Sequence, residues 1–162
     1  VLHEIEGMAE VNEKDLAGRT DLRKQTIVTI DGEDAKDFDD AISCEIINEE
    51  YHLGVHIADV SHYVRENSAL DKEAFRRGTS TYFPGYVVPM LPFKLSNELC
   101  SLREKTDRLT LSAFMRLDKN GDLIESRFAP SVIRVTEMMT YRQVQDVLNN
   151  RDFHDKKFLI CF

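Results

Sequence analysis

The sequence predicts an α+β fold in which a mixed, mainly antiparallel sheet is flanked by helices. Short stretches rich in β-branched residues recur along the chain between turn residues, as expected of strands joined by hairpins. Two other stretches open with residues that cap helices. The 162 residues are 42% hydrophobic and 31% charged, which is the composition of one globular domain with a core.

Three segments are predicted along the chain. Residues 1–24 are polar with scattered apolar positions and are interpreted as a lead-in from a preceding domain. Residues 25–150 contain the recognisable strands and helices. Residues 151–162 are interpreted as a truncated continuation that ends in the apolar run "FLICF". Because the first residue is Val1 rather than Met, we expect a piece of a longer protein.

The first predicted strand brings an aspartate to its end. Residues 27–30, "IVTI", are β-branched throughout and lead directly into Asp31. Residues 41–47 and 51–58 are also strand-like and are separated by three polar residues, which predicts a hairpin. The acidic residues from position 31 to position 40 would then lie in a loop held between strands.

A helix and an irregular segment follow. Ser68 is the predicted N-cap, Asp71 occupies the capping-box position and Gly78 is the predicted C-cap. Residues 79–92 contain three prolines and a Pro-Gly pair. This pattern predicts a strand and an ordered loop rather than a second helix.

A second hairpin and a last helix are predicted towards the end of the chain. Asn120-Gly121 is typical of a type I′ turn, and residues 123–135 are predicted to return as the partner strand. Thr140 and Gln143 form a capping box that opens a helix over residues 141–149. The strand before the turn alternates apolar and polar residues, so its apolar positions are predicted to face the core: Leu109, Leu111, Ala113, Met115 and Leu117.

Residue usage excludes several classes of protein. The three cysteines are widely spaced and form no CxxC pair, which argues against a disulfide framework and a zinc site and favours a reducing cytoplasm. No apolar stretch reaches the ~20 residues that a membrane span needs, and the N-terminus does not resemble a signal peptide. We expect a soluble, cytoplasmic protein with no membrane partner, and the sequence leaves the oligomeric state unknown.

The stretch "DGEDAKDFDD", residues 31–40, combines six acidic residues with one lysine. A solvated acidic loop is the ordinary interpretation of such a run. A divalent-cation site is the alternative, because Mg²⁺ prefers a few carboxylates completed by water and phosphate oxygens. An EF-hand is excluded, since Lys36 stands where its loop requires glycine. An aspartyl phosphatase is disfavoured because the preceding strand leads to Asp31 and not to "DFDD".

Four longer motifs occur in a fixed order: "TIDGEDAKDFDDAI", "GVHIADVSHYV", "RRGTSTYFPGYVVPMLP" and "LSNELCSL". Together they resemble the catalytic RNB domain of the ribonuclease R and ribonuclease II exoribonucleases, and the ribonuclease R branch most closely. The resemblance covers roughly residues 12–150. It implies a partial RNB-type catalytic domain, corresponding to the N-terminal half.

This resemblance implies an enzyme that degrades single-stranded RNA processively from the 3′ end and releases nucleoside 5′-monophosphates. It also implies Mg²⁺ as the cofactor, for which Mn²⁺ can substitute. The family's catalytic and metal-binding aspartates match Asp31, Asp37, Asp39 and Asp40, with Asp39 implied to matter most for the chemistry. Tyr82 matches the tyrosine that packs against the 3′-terminal nucleotide.

Parts of the family pattern are absent from this sequence. The flanking OB-type RNA-binding domains and the second half of the catalytic domain are missing, and with them an arginine near the scissile phosphate. A non-catalytic divalent-cation-binding or interaction fragment is therefore the alternative for this chain by itself.

Overall fold

The computed structural model describes residues 1–149. The predicted continuation, residues 151–162, and its apolar run lie outside the described residues. No helix within the described part combines the length and apolar character needed to cross a bilayer.

The secondary structure, in chain order, comprises strands, helices and short turns. The strands are β1 (Thr20–Asp21), β2 (Val28–Asp31), β3 (Asp40–Ile47), β4 (Glu50–Ala58), β5 (Thr81–Phe83), β6 (Tyr86–Val88), β7 (Asp107–Leu117), β8 (Leu123–Arg134) and β9 (Glu137–Thr140). The helices are α1 (Leu2–Glu6), α2 (Ala69–Arg77) and α3 (Tyr141–Asn149). Single 3₁₀ turns occur at Glu13–Leu16 and Val60–His62, and a π-helical turn spans Lys94–Leu99.

Most of these strands form one mixed sheet. Its order is β1-β8-β7-β4-β3-β2-β9, whereas β5 and β6 form a separate two-stranded ribbon. The pairs β1–β8 and β2–β9 are parallel, and all other neighbours in the described sheet are antiparallel. The predicted α+β fold with a mixed, mainly antiparallel sheet is confirmed.

The predicted hairpin of β3 and β4 is present with a tighter turn than expected. The register runs from Asp40 opposite Ile57 to Ile47 opposite Glu50, so the connection contains two residues rather than three. Asn48 and Glu49 have φ angles of 52° and 67°. Positive φ at both central positions is the geometry of a type I′ turn, whose twist matches that of the strands.

The β7–β8 hairpin is confirmed, but its turn is not of the predicted type. Of Asn120 and Gly121, only Gly121 has a positive φ, 89°. The Asp118 carboxylate accepts hydrogen bonds from the backbone N–H groups of Asn120 (2.8 Å) and Asp122 (2.9 Å). These bonds close a loop that is longer than the predicted two-residue turn.

The predicted inward face of β7 is buried at Leu109, which is 4% exposed, but the prediction is wrong at Leu111. Leu111 is 51% exposed, whereas Thr110 and Ser112 on the opposite face are completely buried. The Ser112 hydroxyl lies 2.8 Å from Nδ1 of the buried His56, and the Ser43 hydroxyl lies 3.0 Å from its Nε2. Because these polar side chains satisfy one another, they occupy the core at little cost.

The predicted N-cap residues of both helices are confirmed, but at α2 the Asp71 carboxylate accepts from the Asn67 N–H (2.9 Å) rather than from that of Ser68. The Ser68 hydroxyl accepts a hydrogen bond from the Asp71 N–H, 3.0 Å, at the start of α2. At α3, the Thr140 N–H donates to the Gln143 side chain (2.7 Å) and the Gln143 N–H donates to the Thr140 hydroxyl (3.2 Å). The second capping box is therefore complete.

The core lies on both faces of the sheet. On one face the sheet packs against α2 and the π-helical turn through Ile27, Leu70, Leu95 and Ile133. On the other face, α3 covers β2 and β9 through a smaller cluster consisting of Val28, Met139 and Val147, with Ile30, Ile42 and Val144 packed around it. The acidic loop lies where β2 leaves the sheet.

Candidate active site

Two of the acidic residues are held by the sheet. Asp31 is the last residue of β2 and pairs with Thr140 of β9, while Asp40 is the first residue of β3 and pairs with Ile57 of β4. Since β2 and β3 are antiparallel neighbours, the end of one and the start of the other lie at the same edge of the sheet. The fold therefore brings the two ends of the acidic stretch together.

The middle of the acidic loop is anchored by Phe38. This side chain is only 7% exposed and belongs to the main core, whereas Asp37 and Asp39 on either side are exposed. The Phe38 N–H donates to the Ser101 hydroxyl (3.1 Å), and the Phe38 carbonyl accepts from the Leu102 N–H (2.8 Å). An apolar residue within an acidic run thus fixes two carboxylates at the surface.

The carboxylates perturb one another electrostatically. Burial raises the pKa of Asp31, and the charges of Asp40, Asp37 and Asp39 raise it further. The pKa of Asp39 is raised by desolvation from the surrounding protein atoms and then by the charges of Asp37 and Asp40. Like charges in close proximity disfavour full ionisation, and a bound cation would remove that penalty.

The donor chemistry of this cluster fits a hard divalent cation, since all four side chains offer carboxylate oxygens. Within residues 1–149, however, no three or more His, Cys, Asp or Glu side chains are grouped so that they could hold a metal ion as they stand. The four aspartates therefore lie close enough to interact but do not form a converged ligand set. Mg²⁺ usually retains waters and takes substrate phosphate oxygens, so it needs few protein ligands.

A cleft of about 770 Å³ connects the acidic loop to the β5–β6 ribbon. Asp37 and Tyr82 both line the cleft, and Tyr82 is 68% exposed. The structure thus places two of the five predicted site residues in one cleft. Asp31, Asp39 and Asp40 are not among the residues that line it.

The ribbon that carries Tyr82 is fixed at its base. Its two strands are joined by Pro84-Gly85, and Gly85 has a φ of 75° that a residue with a side chain rarely adopts. The Arg77 guanidinium donates to the Pro89 carbonyl (2.9 Å), and the Met90 N–H donates to the Ser80 hydroxyl (2.9 Å). These contacts tie both ends of the ribbon segment to the end of α2 and to each other.

Sequence reasoning missed several residues that line the same cleft. Three further exposed aromatic residues, Phe83, Tyr86 and Phe93, lie there together with Asn97 of the π-helical turn. The signal available in the sequence was the density of aromatic residues between positions 82 and 93. The π-helical turn itself has no simple sequence signature, although such turns are frequent at functional sites.

Two histidines on either side of the β4 end, His56 and His62, have partners within the fold. His56 is fully buried between Ser43 and Ser112, and burial lowers its pKa to about 4. His62 lies 3.6 Å from the Asp15 carboxylate. Neither histidine lines the cleft that Asp37 and Tyr82 share.

Comparison with known proteins decides the family. The model of the RNB domain matches residues 19–159. The chain belongs to the RNB domain family. Over 143 residues, 88% of the chain, this RNB chain is 59% identical to ribonuclease R of Thermotoga maritima, of which it covers 20%. The chain therefore spans about a fifth of the length of that relative.

Solved structures agree with this assignment. The RNB chain resembles Mycoplasma genitalium RNase R in complex with double-stranded RNA, with a TM-score of 0.91 and 35% identity over 98% of this chain and 29% of that one. It also resembles the same enzyme in complex with ribose-methylated single-stranded RNA, with a TM-score of 0.89 and 37% identity over 98% of this chain and 25% of that one. The predicted resemblance to ribonuclease R is confirmed.

Proposed function

We propose that the protein containing this RNB chain is a Mg²⁺-dependent exoribonuclease that hydrolyses single-stranded RNA processively from the 3′ end to nucleoside 5′-monophosphates. The observation that carries this proposal is the cleft shared by Asp37 and Tyr82. It joins Asp37, one of the four aspartates suited to a divalent cation, to an aromatic surface suited to a base. The identity to a ribonuclease R and the RNA complexes of the Mycoplasma genitalium enzyme support the same substrate class.

Asp31, Asp37, Asp39 and Asp40 are the residues that would hold Mg²⁺, or Mn²⁺ in its place. Ions held there in a two-metal arrangement would supply an activated water and would stabilise the leaving oxygen of an in-line displacement. The sheet edge fixes Asp31 and Asp40, while the anchored Phe38 holds Asp37 and Asp39 at the surface. Rotation of the exposed carboxylates and a substrate phosphate would complete the ligand set.

Tyr82 would stack against the 3′-terminal base. Base–aromatic stacking is worth ~1 to 3 kcal/mol and is tolerant of sequence, because every base has a π-face. Bases inside a duplex are covered on both faces by their stacked neighbours, whereas a single strand leaves base faces accessible, so stacking at Tyr82 favours single strands. This property suits an enzyme that removes any nucleotide in turn.

The charge of the cluster makes RNA binding dependent on cations. The acidic stretch would repel phosphates, and the whole chain carries a formal charge of -8. Binding to RNA is therefore expected to need the divalent ion rather than a basic surface. A cytoplasmic location is part of the proposal, and the three widely spaced cysteines support it.

The deciding experiment follows cleavage of a 5′-labelled single-stranded RNA in Mg²⁺. We expect a ladder that shortens from the 3′ end with the chain and none with Asp39→Asn. Glu33→Gln is the matched control, because Glu33 is an exposed acid of the same loop outside the predicted set. Equal activity of Asp39→Asn and Glu33→Gln would contradict the assignment of Asp39. If this chain is inactive but the longer parent protein is active, the proposal stands for the parent.

A non-catalytic binding fragment is the second candidate, and the exposed face of the sheet favours it. Ile57 and Leu111 lie opposite each other and are 47% and 51% exposed, while Phe128 on the neighbouring strand is 74% exposed. Exposed apolar surface of this kind marks interaction sites. Saturable Mg²⁺ binding, without RNA cleavage by the chain or its parent, would support this candidate. So would self-association that Leu111→Ser abolishes.

A further inference from the structure

The cleft beside the acidic loop has more aromatic surface than one stacking residue needs. Phe83 is 55% exposed, Tyr86 is 66% exposed and Phe93 is 53% exposed, and all three line the cleft with Tyr82. Large aromatic side chains normally bury most of their surface in the core. Four exposed aromatic residues within twelve positions therefore indicate a ligand-binding surface.

The faces of these rings are available. Among residues 1–149 the aromatic ring contacts are His56 with Phe114 and His62 with Tyr63. The single cation–π contact of that part of the chain joins Arg127 to Phe114. None of these contacts involves an aromatic residue of the cleft.

The register of the ribbon separates its aromatic residues into two positions. Phe83 lies directly opposite Tyr86, whereas Tyr82 lies opposite Val87. Because successive side chains of a strand point to opposite faces, Tyr82 and the Phe83–Tyr86 pair project from different faces of the ribbon. Directly opposed side chains are close neighbours, so Phe83 and Tyr86 project side by side from one face of the ribbon.

We propose that the Phe83–Tyr86 pair is a second base-stacking position, which holds another unpaired nucleobase of the RNA strand whose 3′-terminal base lies at Tyr82. This inference rests on the proposed function and adds a substrate contact to it. A nucleobase suits the position better than an apolar peptide, because the cleft is of mixed character. Asp37, Ser96 and Asn97 line it along with the aromatic residues, and a base combines an apolar face with a polar edge.

The second position gives the cleft a requirement for unpaired bases. A cleft of about 770 Å³ lies at the upper end of the range for small-molecule sites and has room for more than one base. Two stacked bases bind more tightly than one, and neither can remain stacked between its neighbours inside a duplex. The enzyme would then discriminate by the number of unpaired 3′ nucleotides rather than by their sequence.

The test measures RNA affinity in Mg²⁺ by fluorescence anisotropy with a 5′-labelled oligouridylate. The oligouridylate has phosphorothioate linkages that resist cleavage, so that the RNA stays intact while all four aspartates are kept. Tyr86→Ala and Phe83→Ala are expected to weaken binding roughly 5- to 150-fold, the equivalent of ~1 to 3 kcal/mol. Phe128→Ala is the matched control, since Phe128 is 74% exposed and does not line this cleft; it should change affinity less than twofold.

A second series places one abasic nucleotide at successive positions from the 3′ end. We expect two sensitive positions, one of which becomes insensitive in Tyr82→Ala and the other in Tyr86→Ala. Tyr86→Phe keeps the ring and should retain both the affinity and the pattern. Unchanged far-ultraviolet circular dichroism and melting temperature show that each variant is folded.

Two results would overturn the inference by itself: affinities of Tyr86→Ala and Phe83→Ala equal to that of Phe128→Ala, or loss of binding in Tyr86→Phe. In either case a weakened Tyr82→Ala variant would leave the proposed function intact. Failure of both the unsubstituted chain and its longer parent to bind this RNA in Mg²⁺ would instead overturn the proposed function, and the second stacking position with it.

Discussion

The backbone N–H of Phe38 donates a hydrogen bond to the Ser101 hydroxyl over 3.1 Å, and both residues are buried. This bond links the acidic loop to the segment that follows the π-helical turn. The same hydroxyl lies 3.4 Å from the Lys36 carbonyl. Ser101 therefore holds the loop at two points on either side of Asp37, and the position of that carboxylate depends on a residue remote in sequence.

Ser101→Ala should destabilise the fold and weaken cation binding together. The Phe38 N–H would be left buried without an acceptor, which costs about 1 to 3 kcal/mol of the free energy of unfolding. Urea unfolding measures this loss, and calorimetric titration with Mg²⁺ measures the loss of affinity. Ser126→Ala is the control, because Ser126 is exposed on β8 and should change stability by less than about 0.5 kcal/mol. Equal behaviour of the two variants would show that Ser101 does not position the loop.

Asp39→Asn should abolish RNA cleavage while leaving the fold as stable as before or more stable. The pKa of Asp39 is raised in the folded protein, so ionisation costs the folded state more than the unfolded state. The carboxyl contributes stability below its ordinary pKa of 3.8 and loses that contribution as the pH rises through the raised folded value. At pH 7 without divalent ions, the substitution should therefore raise the free energy of unfolding, by up to about 1 kcal/mol for an exposed charge pair.

The measurement is urea unfolding at pH 7 and at pH 3 in the presence of EDTA. The stabilising effect should be present at pH 7 and absent at pH 3, where the carboxyl is protonated in both states. Glu33→Gln should show no comparable gain at pH 7. A destabilised Asp39→Asn protein at pH 7 would mean that the carboxylate has a favourable structural contact.

Mg²⁺ should raise the melting temperature, because it binds the folded protein and relieves repulsion among the aspartates. A concentration of a hundred times Kd stabilises a one-site protein by about 2.7 kcal/mol. Differential scanning fluorimetry with increasing MgCl₂ measures the shift, with NaCl at equal ionic strength as the baseline. Asp31→Asn should remove the shift and Glu33→Gln should retain it. A shift of equal size in both variants would locate the ion elsewhere.

The sequence predicted the local elements of this fold better than their long-range partners. Both hairpins and both helix caps depend on residues within a few positions, such as Ser68 with Asp71 and Thr140 with Gln143, and they are present. The parallel pairing of β9 with β2 joins residues more than a hundred positions apart. Short-range patterns contain no information about such a pairing.

The inward face of β7 shows a second limit of prediction from sequence patterns. Alternation identified a strand but could not tell which of its faces is buried, and the apolar side at Leu111 is the exposed one. The polar residues Thr110 and Ser112 are buried because His56 and Ser43 lie next to them in the folded sheet. For the candidate site, the motifs supplied the aspartates and Tyr82, whereas Phe83, Tyr86 and Phe93 emerged only from the shape of the cleft.

Gly54→Ala should disrupt this buried polar network. A Cβ atom at Gly54 would lie 2.4 Å from the Ser43 hydroxyl and 2.9 Å from Nε2 of His56. Both neighbours are hydrogen-bonded to each other, so neither can move without breaking that bond. Overpacking of this kind costs about 1 to 3 kcal/mol, measurable by urea unfolding. Gly7→Ala is the control, since a Cβ there meets nothing within 4 Å. An unchanged urea unfolding midpoint for Gly54→Ala would show that Ser43 and His56 can move aside without loss of stability.

His56 should make the fold sensitive to mild acid. Burial lowers its pKa from 6.5 to about 4, so the unfolded chain takes up a proton at a pH where the folded protein does not. The contribution of the neutral imidazole is fully present above pH 6.5 and is lost as the pH falls towards 4. A shift of this size corresponds to about 3 kcal/mol of the free energy of unfolding.

Nuclear magnetic resonance titration tests the lowered pKa directly, because one of the five histidines should keep a neutral ring down to about pH 4. His56→Gln assigns that resonance and should flatten the loss of stability between pH 6.5 and 4. If every histidine titrates near its ordinary pKa, the imidazole is reached by solvent and the polar network does not exclude water.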